Sequence, residues 1–157
     1  MPELLPATRL ISPQTPAERA LCFELRWQVL RQPWGQPPGS EQDSLDKNSI
    51  HKAIEVEHKI IATGRMHFPD AGTGCIRYMA VHPDFRNHGY GACLLQALES
   101  VAIKNNCNDI SLQARNSAVI FYQHNGYQLI RKSHRLYDEI EHFEMTKTLD
   151  IKSYNDG

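Results

Sequence analysis

The sequence predicts an α/β fold, and three observations carry that expectation. Segments of strand length alternate with stretches whose apolar residues repeat at helical spacing. An apolar run, Ile76–Val81, passes through a glycine turn straight into a helix. A helix-start signature stands near the N-terminus at Thr15–Glu18. The 157 residues suffice for one domain with a sizeable core, expected over about 8–149, with 150–157 as a frayed tail.

Taken in order, Leu10-Ile11 reads as a short strand. Thr15 is the N-cap of the first helix, Pro16 takes its first position, and Glu18 closes a capping box. Leu21, Leu25, Trp27, Val29 and Leu30 supply its apolar positions, and Pro33 and Gly35 stop it. Gln32 to Asn48 is a Pro- and Gly-rich loop of about 17 residues, long enough to suggest a functional loop or a short hidden helix. His51–Val56 and Lys59–Phe68 form a hairpin around Glu57-His58. Asp70–Gly74 turns into the strand Cys75–Val81. Leu94, Leu95, Leu98, Val101 and Ala102 mark the second helix, ending near Asn105-Asn106. Asp109–Ala114 is a strand, Ser117–His124 a short helix stopped by Gly126, and Tyr127–Arg131 and His142–Leu149 are late strands. In the last strand Phe143, Met145 and Leu149 point one way, and Lys147 breaks the pattern.

Composition narrows the function. The chain carries 17 basic and 18 acidic residues, a formal charge of −1, without the basic excess of a nucleic-acid surface. No apolar run reaches the roughly 18 residues of a membrane span. The N-terminal residues lack the pattern of a signal peptide, so a cytoplasmic protein is expected. Cys22, Cys75, Cys93 and Cys107 are scattered, with neither the spacing of a metal site nor a nucleophile's setting. No metal is expected, and a thiol hydrolase is disfavoured.

The most informative segment is Val81-His82-Pro83-Asp84-Phe85-Arg86-Asn87-His88-Gly89-Tyr90-Gly91-Ala92. Strand, glycine turn and helix start make a seat for an anion: glycines let the backbone approach closely, and free N–H groups and the helix dipole face the ligand. It is not a nucleotide P-loop, because Gly91 is followed by Ala92-Cys93 and not by Lys-Ser/Thr. Nor is it a dinucleotide fingerprint, because Leu94 stands where a third glycine or alanine belongs. Arg86-x-x-Gly89-x-Gly91 after a Val-x-Pro strand end instead resembles the pyrophosphate cradle of the GNAT superfamily of N-acetyltransferases. Ala118, Tyr122 and Gly126-Tyr127 are similar to a second motif of that family, and the element order agrees. The asparagine usually found seven residues before the tyrosine is replaced here by Arg115; Asn116 follows one residue late, and neither inherits its pantetheine contact. Leu25–Arg31, Gly39–Asp43 and Ile76–Pro83 resemble a bacterial GNAT subgroup, some of whose members carry a thioesterase-like hot-dog domain. Glu139–Met145 resembles the ending of other small bacterial members.

The resemblance implies a GNAT fold, a mixed sheet of about six to seven strands splayed in the middle with helices on both faces. It implies acetyl-CoA as co-substrate and an amine, of a small molecule or a protein, as acceptor. The pantetheine arm is expected along Met79, Ala80 and Val81, and the pyrophosphate on the amides of Asn87, His88, Gly89, Tyr90, Gly91 and Ala92 beside Arg86. A charge-assisted bond from Arg86 contributes about 1.5–3 kcal/mol; the exposed dipole adds about 0.3–1 kcal/mol, so the amides and Arg86 dominate. Tyr122 is the candidate general acid, since a phenol near ~10 stays protonated where a thiol near ~8.5 begins to ionise, the alternative being a core aromatic beside Phe121. Glu41, Glu55, Glu57 and His67 are conceivable bases but read first as surface groups, and no base is assigned. Arg65 and Arg77 are candidates for an acidic acceptor, or else ion-paired or solvated. Trp27, Trp34 and Tyr90 are candidates for pocket walls, Trp34 before Trp27. By the same resemblance, which includes members that pair through late strands, a homodimer through the last strand is an expectation. The competing reading is a non-catalytic acyl-CoA-binding or regulatory module.

Overall fold

The computed structural model describes residues 7–150. Its elements are β1 (Thr8–Ile11), α1 (Pro16–Leu30), β2 (Ile50–Val56), β3 (Lys59–Asp70), β4 (Thr73–Val81), α2 (Tyr90–Lys104), β5 (Asp109–Arg115), α3 (Val119–His124), β6 (Gln128–Leu136) and β7 (Ile140–Thr148). Short 3-10 turns occupy Gln32–Trp34, Asp46–Asn48, Pro83–Phe85 and Asn116–Ala118. The fold is mixed α/β, with a seven-stranded sheet in the order β1-β2-β3-β4-β5-β7-β6. β4 pairs with β5 in parallel, whereas β1–β2, β5–β7 and β6–β7 are antiparallel. The expected N-terminal character and all but Asp150 of the expected tail lie outside the described residues.

The chain divides into two compact units. The first holds the described residues up to Arg65 together with Tyr78–Leu98; the second holds Met66–Arg77 and the described residues from Glu99 onward.

In the first unit α1 starts as its sequence dictates. The Thr15 hydroxyl accepts from the Glu18 amide at 3.1 Å, and Glu18 Oε1 accepts from the Thr15 amide at 3.1 Å. Cys22 and Leu25 of α1 pack with Ala53 and Ile60, joined by Ile11 and Val29. Full burial of each large apolar side chain stabilises by about 1.5–3 kcal/mol. Leu21, expected on the apolar face, is exposed, because it falls one position short of the stripe carried by Cys22 and Leu25. Glu57 and His58 both take positive φ, 49° and 67°, which makes the tight β2–β3 turn. The Pro-rich loop between α1 and β2 is ordered by its two 3-10 turns and by side-chain bonds described below.

In the second unit the parallel ladder runs from Thr73 opposite Asp109 to Ile76 opposite Leu112. β4 therefore begins earlier than expected, and a Cβ on its Gly74 would lie 2.7 Å from Met66 Sδ. β7 pairs on one side with β5 and on the other with β6. The last strand is thus interior, and β1 and β6 are the two edges of the sheet. β6 also runs to Leu136, beyond the expected Arg131. From Gln128 to Arg135 every residue is exposed, so no apolar alternation marks the strand, and backbone pairing with β7 sustains it.

Candidate active site

The glycine turn is built where the sequence places it. Its entry is pinned by the His82 amide donating to the Ile61 carbonyl at 2.7 Å. The His82 ring nitrogen Nδ1 accepts from the Asp84 amide at 3.1 Å and starts the Pro83–Phe85 turn. Asn87 and Gly89 then take positive φ, 64° and 84°. Cys93 N–H bonds to the Gly89 carbonyl at 3.1 Å, an early rung of the α2 ladder. The first amides of a helix have no acceptor within it, so those of Tyr90, Gly91 and Ala92 point out of the helix end. A Cβ added at Gly89 would meet no atom within 4 Å, so the space beside Gly89 is open. Arg86 is exposed, its Nε 3.4 Å from the Val81 carbonyl. A phosphate-like anion fits this arrangement.

In the same unit lies a charge network that the sequence did not announce. Arg26 on α1 and Arg65 on β3 are both 0% exposed. Arg26 Nη1 bonds Asp46 Oδ1 at 2.9 Å and the Glu41 carbonyl at 3.0 Å. Arg65 Nη1 bonds Asp43 Oδ1 at 2.6 Å and Asp46 Oδ1 at 3.0 Å. Tyr78 on β4, at φ 58°, donates its hydroxyl to Asp43 Oδ2 at 3.1 Å, and its ring carries the guanidiniums of Arg26 at 4.3 Å and Arg65 at 4.8 Å. Burial works against ionisation of Asp46, but the Asp43 amide and the two arginines outweigh it and hold the carboxyl below its usual range. Asp43 is lowered too: burial opposes, and the bond and charge of Arg65 prevail. Burial pushes Arg26 down, whereas the bonds of Arg65 to the two aspartates more than offset its burial. His51, beside them, is lowered by burial and lies 2.7 Å through Nε2 from the Asp46 carbonyl. The network pins the long loop between helix and sheet. Trp27 Nε1 adds a bond to the Gln36 carbonyl at 2.9 Å.

Tyr122 belongs to the second unit. It sits in α3, 6% exposed, edge-on to Phe121 and to Tyr127 at 5.1 and 5.7 Å between ring centroids. Burial pushes its phenol well above the ordinary tyrosine value.

Comparison with known proteins bears on these features. Residues 47–129, from the end of the loop through the glycine turn and Tyr122 into β6, match the family described as the acetyltransferase (GNAT) domain. The chain belongs to the GNAT family. It is 29% identical over 126 residues to the uncharacterized N-acetyltransferase YjcF of Bacillus subtilis strain 168, covering 80% of this chain and 89% of that protein. Its fold is similar to a crystal structure from Lactobacillus plantarum, with a TM-score of 0.81 at 23% identity, covering 92% of this chain and 99% of the other. An acyl-CoA N-acyltransferase of Pseudomonas aeruginosa gives a TM-score of 0.76 at 20% identity, covering 92% and 100%.

Within this GNAT chain the other predicted residues separate. Met79 and Val81 are half-buried on β4 and Ala80 is buried, in the strand that leads into the glycine turn. Asn87 and His88 are exposed, and Tyr90, Gly91 and Ala92 are half-buried. Arg115 ends β5, and Asn116 is exposed in the following turn. Glu41, read as a surface group, is 3% exposed, and its Oε1 accepts from the Gly39 amide at 2.9 Å. Glu55 pairs with Arg9 at 3.6 Å, Glu57 lies exposed in the hairpin turn, and His67 is half-buried on β3. Arg77 is exposed on β4, whereas Arg65 is held by this chain's own aspartates. Trp34 is 36% exposed and Trp27 half-buried. Among the described residues, no three His, Cys, Asp or Glu side chains gather for a metal, and no helix is long and apolar enough to cross a membrane. Sequence reasoning missed Asp43, Asp46 and Arg26; its only signal was the length of the loop and an arginine inside the apolar stripe of α1.

Proposed function

We propose that this chain moves an acetyl group from acetyl-CoA directly to an amine acceptor, with Tyr122 as general acid. The observation that carries the reading is the glycine turn: positive φ at Asn87 and Gly89, no atom beside Gly89, and a helix end behind it, in a GNAT chain. Arg86 and the amides of Asn87, His88, Gly89, Tyr90, Gly91 and Ala92 hold the pyrophosphate. The backbone of Met79, Ala80 and Val81 pairs with the pantetheine arm as an added strand would. Acetyl-CoA, when bound, supplies an activated acyl carbon and a sulfur leaving group. Tyr122, protonated at neutral pH, gives its proton to that sulfur as it departs; burial keeps the phenol protonated and makes it a weaker acid than a free tyrosine. The acceptor must react as the free amine, which for a lysine-like pKa near ~10.4 is about one molecule in 2,500 at pH 7. The four free cysteines suit a reducing compartment, the cytoplasm.

Calorimetry with acetyl-CoA tests the cradle, comparing the parent with an Arg86→Ala, Gly89→Ala double variant. Micromolar binding that collapses in the variant is expected; no binding by the parent overturns the reading. Release of CoA across an amine panel then tests turnover, and Tyr122→Phe is expected to slow it by about 10²–10⁴-fold. Binding without release identifies the non-catalytic acyl-CoA-binding module instead.

A further inference from the structure

We propose that Lys147 and Glu99 are a positioning pair for Tyr122, an inference that rests on the reading of Tyr122 as the acid. Lys147 is the residue that interrupts the apolar alternation of β7, and its ammonium is turned inward. Nζ lies 3.0 Å from Glu99 Oε2 and donates at 3.0 Å to the carbonyl of Asn125, the C-cap of α3. The same Glu99 oxygen accepts the Tyr127 hydroxyl at 2.9 Å. Glu99 is 5% exposed and Tyr127 3%, so one buried carboxylate oxygen joins α2, β7 and the residue before β6. Burial first, then the Glu99 charge, keep the Tyr127 phenol protonated and therefore a donor.

The turn after α3 is shaped to admit the lysine. Gly126 takes φ 92°, and a Cβ there would stand 3.3 Å from Lys147 Cε. This turn is also what holds Tyr122. Its carbonyl accepts from the amides of Asn125 and Tyr127, both at 3.0 Å. Its ring meets the Tyr127 ring edge-on at 69°. Tyr122 is thus set from two directions, by a backbone turn that Lys147 closes and by an aromatic ring that Glu99 fixes. The ammonium also lies 5.6 Å over the Tyr127 ring, which couples the two routes. A small displacement of a reacting group is costly, which gives such a pair its leverage.

The test measures kcat and KM for acetyl-CoA by CoA release, using spermidine, a lysine-containing peptide and a peptide with a free N-terminus as acceptors. The variants are Lys147→Met, Glu99→Gln with Lys147→Met, and each combined with Tyr122→Phe. The double change leaves no buried charge orphaned and keeps an acceptor for Tyr127, so it guards against simple unfolding. Lys147→Met is expected to lower kcat about tenfold while KM for acetyl-CoA stays within about twofold. In the Tyr122→Phe background it is expected to do almost nothing, because the two act as one unit. Equal slowing in both backgrounds, or a parent-like kcat, overturns the inference and leaves Tyr122 as the acid. A Tyr122→Phe protein as fast as the parent, or no release with any acceptor, removes the underlying reading and the inference with it.

Discussion

The glycine turn and the arginine–aspartate network belong to the same unit and are built in opposite ways. The turn uses consecutive residues and works through its backbone, with Arg86 exposed beside it. The network draws Arg26, Asp43, Asp46, Arg65 and Tyr78 from four separate elements and works through side chains, with both guanidiniums shut away from solvent. A backbone site tolerates changes of side chain but not of φ. A buried charge network is sensitive to each side chain, because removing one member strands the charge of another.

The sharpest way to break this contrast is to delete Asp46. Asp46→Ala leaves both guanidiniums without their shared oxygen, and a loss of about 3–5 kcal/mol is expected by denaturant unfolding. A loss under about 1 kcal/mol would mean that the network is ornamental. Acid should find the same weakness. Asp43, Asp46 and His51 are all lowered in the folded protein, so each contributes stability above its unfolded pKa that disappears as pH falls through its folded value. The melting temperature is expected to decline first below about pH 6.5, through His51, and again below about pH 3.9, through the aspartates. A flat profile from pH 7 to 3 would contradict those directions.

The turn should answer differently. Gly89→Ala forces a side chain into φ 84°, at about 1–2 kcal/mol, although the added methyl meets nothing. Acetyl-CoA affinity should fall with it, measured by calorimetry. Arg86→Ala should weaken acetyl-CoA binding about tenfold, the lower end for a charge-assisted bond, without moving the melting temperature. A stability loss there instead of an affinity loss would erase the distinction between the two regions.

The same contrast explains how much could be read in advance. The turn was legible because its chemistry lies in neighbouring residues: glycine where φ is positive, an arginine three positions before, a helix behind. The capping box of α1 and the Glu57-His58 hairpin were legible for the same local reason. Arg26 was not, and for Arg65 ion pairing stood beside two other readings with its partners unnamed. Nothing local distinguishes a buried, paired arginine on a strand from a solvated one; the difference is made by Asp43 and Asp46 about 20 positions away. The far half of β6 escaped because a strand exposed on both faces has no apolar period. Lys147 was visible as an interruption, but Glu99 and Asn125, which give it meaning, lie far off in the chain.

One consequence of Arg86 being exposed while Arg26 and Arg65 are buried concerns ionic strength. Mobile ions screen a charge at the surface over about 8–10 Å near physiological salt, and they reach a buried pair much less. Added salt should therefore loosen the grip on an anionic ligand while the loop stays fastened. If the proposed function holds, occupancy by acetyl-CoA would respond to the ionic medium, and the fastening of the loop would not.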